Sequence, residues 1–501
     1  MSSTELQHYY GDLHSHCEVG YGHGTIEEAL ANARQQLDFV AVTPHAHWHD
    51  MPVDDPRLTA LVAYHRRGFK ATANLWDHYS RQTEKYHEPG RFVTFPAFEW
   101  HSCRYGDHNV YFRDGKGEII RASDLPDLRQ SLRQLAADSR PAMAIPHHIG
   151  YRAGFRGIAW EHFDPEFSPV VEALSMHGAA EHTEGPRPYL HTMGPRTRTS
   201  SYQYGLQQGH VVGLIGSTDH HSAHPGSYGH GRLGVLAPEL TREAIWDAIW
   251  ARRTYALTGA NIRLDFAVDN GHMGDVITAG PDRRLHIAVE GSAAIDTVEI
   301  LHNNRLIERA APLRRGHRRG VEKIEVTVGW GERGTNVDWE VALQVRGGRL
   351  VAVEPRFRGD EIVAPDDNRD GDLAFSSWSR CDSGVSFNTR TWGNPTTTTP
   401  STQGVCLSIE GDDATRIEAV ANGREISMLL GTLREGPESS YLSGFLSPVV
   451  NFGRAVPAGE YHYKVDIDHR SEGDGRDWYH ARVHQVDGQA AWSSPIWVDP
   501  A

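Results

Sequence analysis

A chain of 501 residues has, at ~150 residues per domain, room for two to four domains. It is 39% hydrophobic and 9% aromatic, enough apolar material for a sizeable core, which excludes wholesale disorder. The formal charge is −15, from 65 acidic and 50 basic residues, so bulk electrostatics favour neither nucleic acid nor an anionic membrane as partner. No apolar run approaches the ~18 residues that a membrane span needs. The opening MSSTELQHYYGDLHSH lacks the basic and apolar regions of a secretory signal. Cys17, Cys103, Cys381 and Cys406 lie far apart and form no CxxC pair. Together these features lead us to expect a cytoplasmic location.

The first half alternates strands and helices. TIEEALANARQQ (25–36) reads as a helix, with Thr25 and Glu28 at capping-box spacing and Ile26, Leu30 and Ala33 on one face. DFVAVT (38–43) reads as a short buried strand. Further strands are expected at FVTFPAF (92–98), AMAIP (142–146), PVVEAL (169–174) and VVGLIGS (211–217). Helical patterns lie at 58–85 and 126–138, and TREAIWDAIWARR (241–253) is a later helix. This order implies a parallel sheet or barrel. After about residue 265 alternating runs dominate: IRLDFAV, LHIAVEG, TVEIL, EKIEVTVGW, DWEVALQV, EYHYKVDID and WYHARVHQV. Asn422-Gly423 and Asp487-Gly488 sit between such runs as hairpin signals. The expected organisation is an α/β domain over 1–265 and a β-rich, sandwich-like domain over 266–501, with NPTTTTPSTQG (394–404) as a polar loop.

Histidine is unevenly spread. Of 31 histidines, 23 fall within residues 1–230. They join carboxylates in six clusters: His14-Ser15-His16 with His23; His45, His47 and His49; Glu99; Asp107-His108; His147-His148; and Asp219-His220-His221. Five of the six directly follow a predicted strand, ending at Leu13, Thr43, Phe98, Pro146 and Thr218. Strand ends converge on one face of a parallel barrel, so side chains spread over two hundred residues can meet there. Imidazoles with a few carboxylates suit zinc, manganese or iron. Any one HxH is ordinarily a surface or hydrogen-bonded pair. The set of six points to a metal centre.

GDLHSH, DFVAVTPH, FPAFEW, GDHNVYF, AIPHH and GSTDHH, in this order, resemble the PHP (polymerase and histidinol phosphatase) superfamily. REAIWDAIWARRTYALTGANI and DGQAAWSSPIWV resemble a bacterial branch in which a PHP domain precedes a β-rich tail. The resemblance implies an α/β fold, a distorted (β/α)7 PHP barrel, with two or three divalent ions. Carried over residue by residue, His14, His16, Glu99 and Asp219 would hold the first ion. Glu99 would bridge to a second, held also by His108 and by His147, for which His148 competes. His45, His221 and His23 would hold a third, with His23 one residue later than the pattern expects. Two departures fall near that third position: Pro44 replaces an acidic residue, and Gly20-Tyr21-Gly22 replaces Ser-Asp-Gly. His47 or His49 are candidates to compensate, or are rim residues.

Bridged ions lower the pKa of bound water and stabilise charge on the attacked group. His177 and His220 are candidates to protonate a leaving group, and Glu172 resembles a family position near the site, where a supporting role is the simpler one. Arg187, Arg196 and Arg198, in the loop after the VEAL strand, and Arg152, with Arg156 beside it, are candidates to bind an anionic substrate. The expected function is a metal-dependent hydrolase, first a phosphoesterase on a small organic phosphate. A hydrolase of an ester, lactone, amide or sulfate ester uses the same chemistry. A non-catalytic metal-holding protein is the third reading. No GxSxG, P-loop or dinucleotide motif points elsewhere.

Overall fold

A computed structural model describes residues 6–312, 320–362, 373–392 and 400–501. The chain is a mixed α/β protein with many strands. Its first part runs β1 (Gln7–Asp12), α1 (Ile26–Arg34), β2 (Phe39–Val40), β3 (His45–Trp48), α2 (Thr59–Tyr86), β4 (Val93–Thr94), β5 (Ala97–His101) and β6 (His108–Phe112). Then follow α3 (Leu125–Ala137), β7 (Ala142–Pro146), β8 (Val170–Ser175), β9 (Gly178–Ala179), α4 (Tyr202–Gln207), β10 (Gly213–Gly216), β11 (Arg232–Ala237), α5 (Arg242–Trp250) and β12 (Thr254–Leu257). The Thr25–Glu28 capping box forms as the spacing predicts, each side chain satisfying the other residue's backbone N–H.

The pairing is less regular than a strict β/α alternation. β1, β2 and β4 are parallel neighbours, as are β3 with β5 and β8 with β10. β6 runs antiparallel to both β5 and β7. It is a direct return strand without an intervening helix, so its first residue lies at the same end as the last residues of β5 and β7. Side chains of β2, β4 to β8, β10 and β11 share one apolar core, which includes Phe39, Val93, Phe95, Ile145, Val170, Ile215 and Val235. The strands fall into separate hydrogen-bonded sheets rather than one closed ladder.

The second part is almost all antiparallel strand. Two sheets, one centred on Val321–Trp330 and Gln403–Glu410, the other on Asn336–Arg346 and Gly384–Trp392, face each other. Ile324, Val326 and Val328 of one meet Trp339, Val341 and Leu343 of the other in a common core. Asn422 and Gly423 both adopt positive φ (48° and 80°) and close a tight hairpin, Ala421 pairing with Arg424. Of the expected polar loop, 394–399 lies outside the described residues, while Gln403 and Gly404 open a strand. The last strands return to the first part: β12 pairs with Ala490–Ser493, Tyr255 opposite Ser493. One sheet therefore runs from β4 through β1, β11 and β12 into the C-terminal strands. Among the described residues no helix is long and apolar enough to cross a membrane.

Candidate metal centre

The chemistry-bearing side chains gather at the strand ends around Glu99. His14 and His16 leave β1 on alternate positions, so both imidazoles point the same way. Buried Asp12 fixes that exit: it accepts from the backbone N–H groups of His14 (3.1 Å), Thr218 (3.0 Å) and Gly226 (2.8 Å) and from the Thr218 hydroxyl. It thereby ties the HxH to the Asp219 loop. His14 Nδ1 donates to Glu172 Oε2 (2.8 Å), which turns its Nε2 toward the cluster. There His14 Nε2 lies 3.1 Å from His16 Nε2 and 3.2 Å from Asp219 Oδ1, and His16 Nε2 lies 3.0 Å from the same oxygen.

Glu99 is the hub. Its Oε2 lies 3.5 Å from His16 Nε2, 3.8 Å from His14 Nε2 and 2.6 Å from His45 Nδ1. Its Oε1 lies 3.0 Å from His147 Nε2 and 3.1 Å from His101 Nδ1. His45 Nε2 faces His221 Nε2 at 3.3 Å. Among the described residues four buried groups have ligand atoms within 4.8 Å of one another: His14, His16 and Asp219; His16, His45 and His221; His45, Glu99 and His101; and Glu99, Asp107, His147 and His148.

This donor set fits divalent metal. Ligands ~2.1 Å from an ion in tetrahedral or octahedral geometry stand roughly 3.0–3.5 Å apart, the spacing found here. Paired imidazole nitrogens at 3.1 and 3.3 Å need a proton or a cation between them. Burial keeps the imidazoles of His45, His147 and His221 well below their ordinary pKa, in the neutral form that ligates. Burial would raise Asp107, but the adjacent Arg156 guanidinium holds its carboxyl well below the carboxylate range.

Several expected site residues lie elsewhere. His108 is paired with Trp100 in register, and the pleat sends both away from Glu99. Its ring sits against Trp100 and its Nδ1 donates to the Gly106 carbonyl (2.9 Å), so Asp107 takes its place in the cluster. His220 lies between Asp219 and His221 but turns its ring toward His224, His230 and Ser222. His23 donates its backbone N–H to the His221 carbonyl (2.8 Å) and lines a separate cleft with Glu18, Glu28 and Phe375. His47 binds the Ala122 carbonyl (2.9 Å) and His49 the Ser102 hydroxyl (3.2 Å), away from the ligand groups. His177 is brought in: its Nε2 lies 2.8 Å from Asp219 Oδ2 and its Nδ1 3.0 Å from the Tyr151 hydroxyl.

Of the five expected arginines, Arg156 joins the cluster, donating to Asp107 Oδ2 (2.6 Å from Nε), and the other four do not. Arg196 donates to the carbonyls of Thr183 (3.0 Å) and Ala179 (2.7 Å), which ties its own loop together. Arg187 donates to the Gly229 carbonyl. Arg152 and Arg198 are exposed, their guanidinium groups over Phe155 and Tyr204. Asp12 and His101 were not singled out as site residues by sequence reasoning; Asp107 was grouped with His108 without a ligand role, and Arg156 was expected to bind substrate. His101 had a usable signal, because Glu99 and His101 sit two apart on a strand and therefore on one face.

A family described as a protein of unknown function, DUF3604, matches residues 50–156. An uncharacterized protein of Chlamydia pneumoniae is 24% identical over 276 residues, 50% of this chain and 44% of that protein. An uncharacterized protein of Chlamydia trachomatis is 27% identical over 173 residues, 31% of this chain and 28% of that one. The chain thus matches less than half the length of these curated relatives. Among solved structures, a two-domain protein from Bacteroides vulgatus containing a predicted PHP-like metal-dependent phosphoesterase aligns over 85% of this chain and 95% of its own, at 12% identity and a TM-score of 0.33.

Proposed function

We propose that the protein is a metal-dependent hydrolase of the PHP type. In this reading residues 1–265 form a distorted (β/α)7 barrel that carries the centre, and residues 266–501 buttress it. The observation that supports it best is the convergence of His14, His16, Asp219, Glu99, His147 and His148 at ligand spacing on a single buried carboxylate hub. His14, His16 and Asp219 with Glu99 would hold one ion, and Glu99 with His147, His148 and Asp107 a second, of zinc, manganese or iron. Such ions supply Lewis acidity and bring the pKa of a water toward neutrality.

The chain's own residues do the rest. Glu172 holds the His14 ring in one tautomer, with Nδ1–H on the carboxylate. His177 lies between Asp219 and the Tyr151 hydroxyl, where it can hold a proton at Nε2 and pass it to a leaving group. The substrate we favour is a small organic phosphate. Cleavage of an ester, lactone, amide or sulfate ester gains weight from the two arginines of the expected anion-binding rim, Arg187 and Arg196, that are spent on backbone carbonyls.

The test is metal content of the purified protein, with a panel of phosphate, carboxylic and sulfate esters run before and after chelation. Phosphate turnover lost on chelation and restored by metal is the expected result. Turnover confined to carboxylic or sulfate esters moves the assignment to the second reading. A metal-free, fully folded protein with no hydrolysis rejects both.

A further inference from the structure

The loop after β9 carries a further imidazole to the edge of the cluster. The loop is pinned at both ends: Ala179 donates its N–H to the Arg187 carbonyl (2.8 Å), and Thr197 donates to the Gly150 carbonyl (2.8 Å). Two anchors hold its middle. The buried Tyr189 ring packs on Tyr151, centroids 4.6 Å apart, and its hydroxyl accepts from the Gly150 N–H (3.2 Å). Met193 Sδ accepts from Arg156 Nη1 (3.3 Å). His191 lies between these anchors and is held by both, a preorganised position.

The His191 ring stands edge-on to His177, centroids 4.8 Å apart, and 6.4 Å from the Tyr151 ring. Both nitrogens of His177 have partners in the chain, Asp219 Oδ2 at Nε2 and the Tyr151 hydroxyl at Nδ1. His191 differs. Its Nδ1 accepts from the Met193 backbone N–H (3.2 Å), which puts the ring proton on Nε2. Among the described residues that Nε2–H has no partner, and the side chain is half-buried. Burial, with His177 and His148 close by, lowers the imidazole to about 4, so the ring is neutral at neutral pH. It offers a directed hydrogen bond and no charge.

We propose that His191 is a substrate-binding residue whose Nε2–H donates to an oxygen of the anionic group brought to the metal centre. The proposal rests on the hydrolase reading above, and its test keeps the two apart. Full-length, zinc-loaded protein is titrated with inorganic phosphate by calorimetry, and KM is measured on the ester of the panel that the wild type cleaves fastest. His191→Phe keeps a ring against His177 but has no N–H. His191→Gln loses the ring and keeps a neutral donor. Phosphate affinity should fall about 10-fold in His191→Phe and stay within about 3-fold of wild type in His191→Gln, the loss of one hydrogen bond. KM should rise in step, with zinc content unchanged. Wild-type affinity and KM in His191→Phe, or a loss in His191→Gln as large as in His191→Phe, overturn this proposal and leave the hydrolase reading standing. Where the wild type cleaves only carboxylic or sulfate esters, the same KM comparison decides. Zinc-loaded wild type that neither binds phosphate nor cleaves any ester rejects the hydrolase reading and this proposal with it. Should His191→Phe fail to fold, His191→Leu, equally without a donor, takes its place against His191→Gln.

Discussion

The first part of the chain and the paired sheets of 321–452 bury their interiors in opposite ways. In the first part strands are as short as two residues and lead into imidazoles and carboxylates that are almost wholly buried. In the second, strands of ten and eleven residues alternate buried with half-buried or exposed positions along most of their length. Charges there sit largely on the outside, as pairs such as Arg349–Glu410 and Arg346–Glu418, over an apolar core. Burying unpaired polar groups costs several kcal/mol each, so a fold does it where function requires it. The second part is organised for stability, and the first gives some of that up to gather buried groups that could hold metal.

Four substitutions or conditions should separate the two regimes. Glu99→Gln has the largest expected effect: it weakens both ion positions at once, so turnover should fall to background and metal content should drop while circular dichroism is retained. Full activity in this variant breaks the bridging assignment. Leu343→Ala, in the core shared by the two sheets, should cost about 2–5 kcal/mol in denaturant unfolding with no loss of bound metal per folded chain. A loss of metal in that variant would mean that the two parts are energetically one. Glu172→Gln leaves the His14 ring without its carboxylate, and should lower metal affinity or turnover by roughly 10–100-fold with little change in melting temperature.

Mild acid has the smallest expected effect. Burial lowers His65 and His224 to about 3 and His108 to about 4, against about 6.5 in an unfolded chain. Below 6.5 the unfolded chain binds these protons first, so stability falls as pH drops from 6.5 toward 4. Asp12 and Asp38, raised by burial to about 6, bind protons first in the folded state and oppose the trend over part of that window. The three histidines outweigh them. Chelated protein should therefore melt lower at pH 5 than at pH 7, with hydrogen exchange rising in residues 7–257 first. Equal loss across 321–452 would contradict the contrast.

Much of the second part was legible because its signals are local. Period-two alternation places seven of the strands, though not Gly384–Trp392 or Gln403–Glu410, and Asn422-Gly423 supplies the positive φ that a two-residue hairpin requires. The Thr25 capping box is local in the same sense. The density of histidines before residue 230 likewise pointed, without any geometry, to the region where the candidate ligand groups gather.

The sequence by itself determined which residue types were available and that they follow strands, since composition and short-range spacing carry that information. Only the tertiary structure decided which of them meet. The antiparallel course of β6 admits Asp107 and turns His108 outward, and residues 219–221 divide so that His220 leaves the cluster its neighbours join. Arg156 rather than Arg152 reaches the centre because one left-handed residue ahead of a cramped glycine aims it there. Such outcomes depend on the direction of single bonds and on partners tens to hundreds of residues away, and no spacing rule along the chain encodes them.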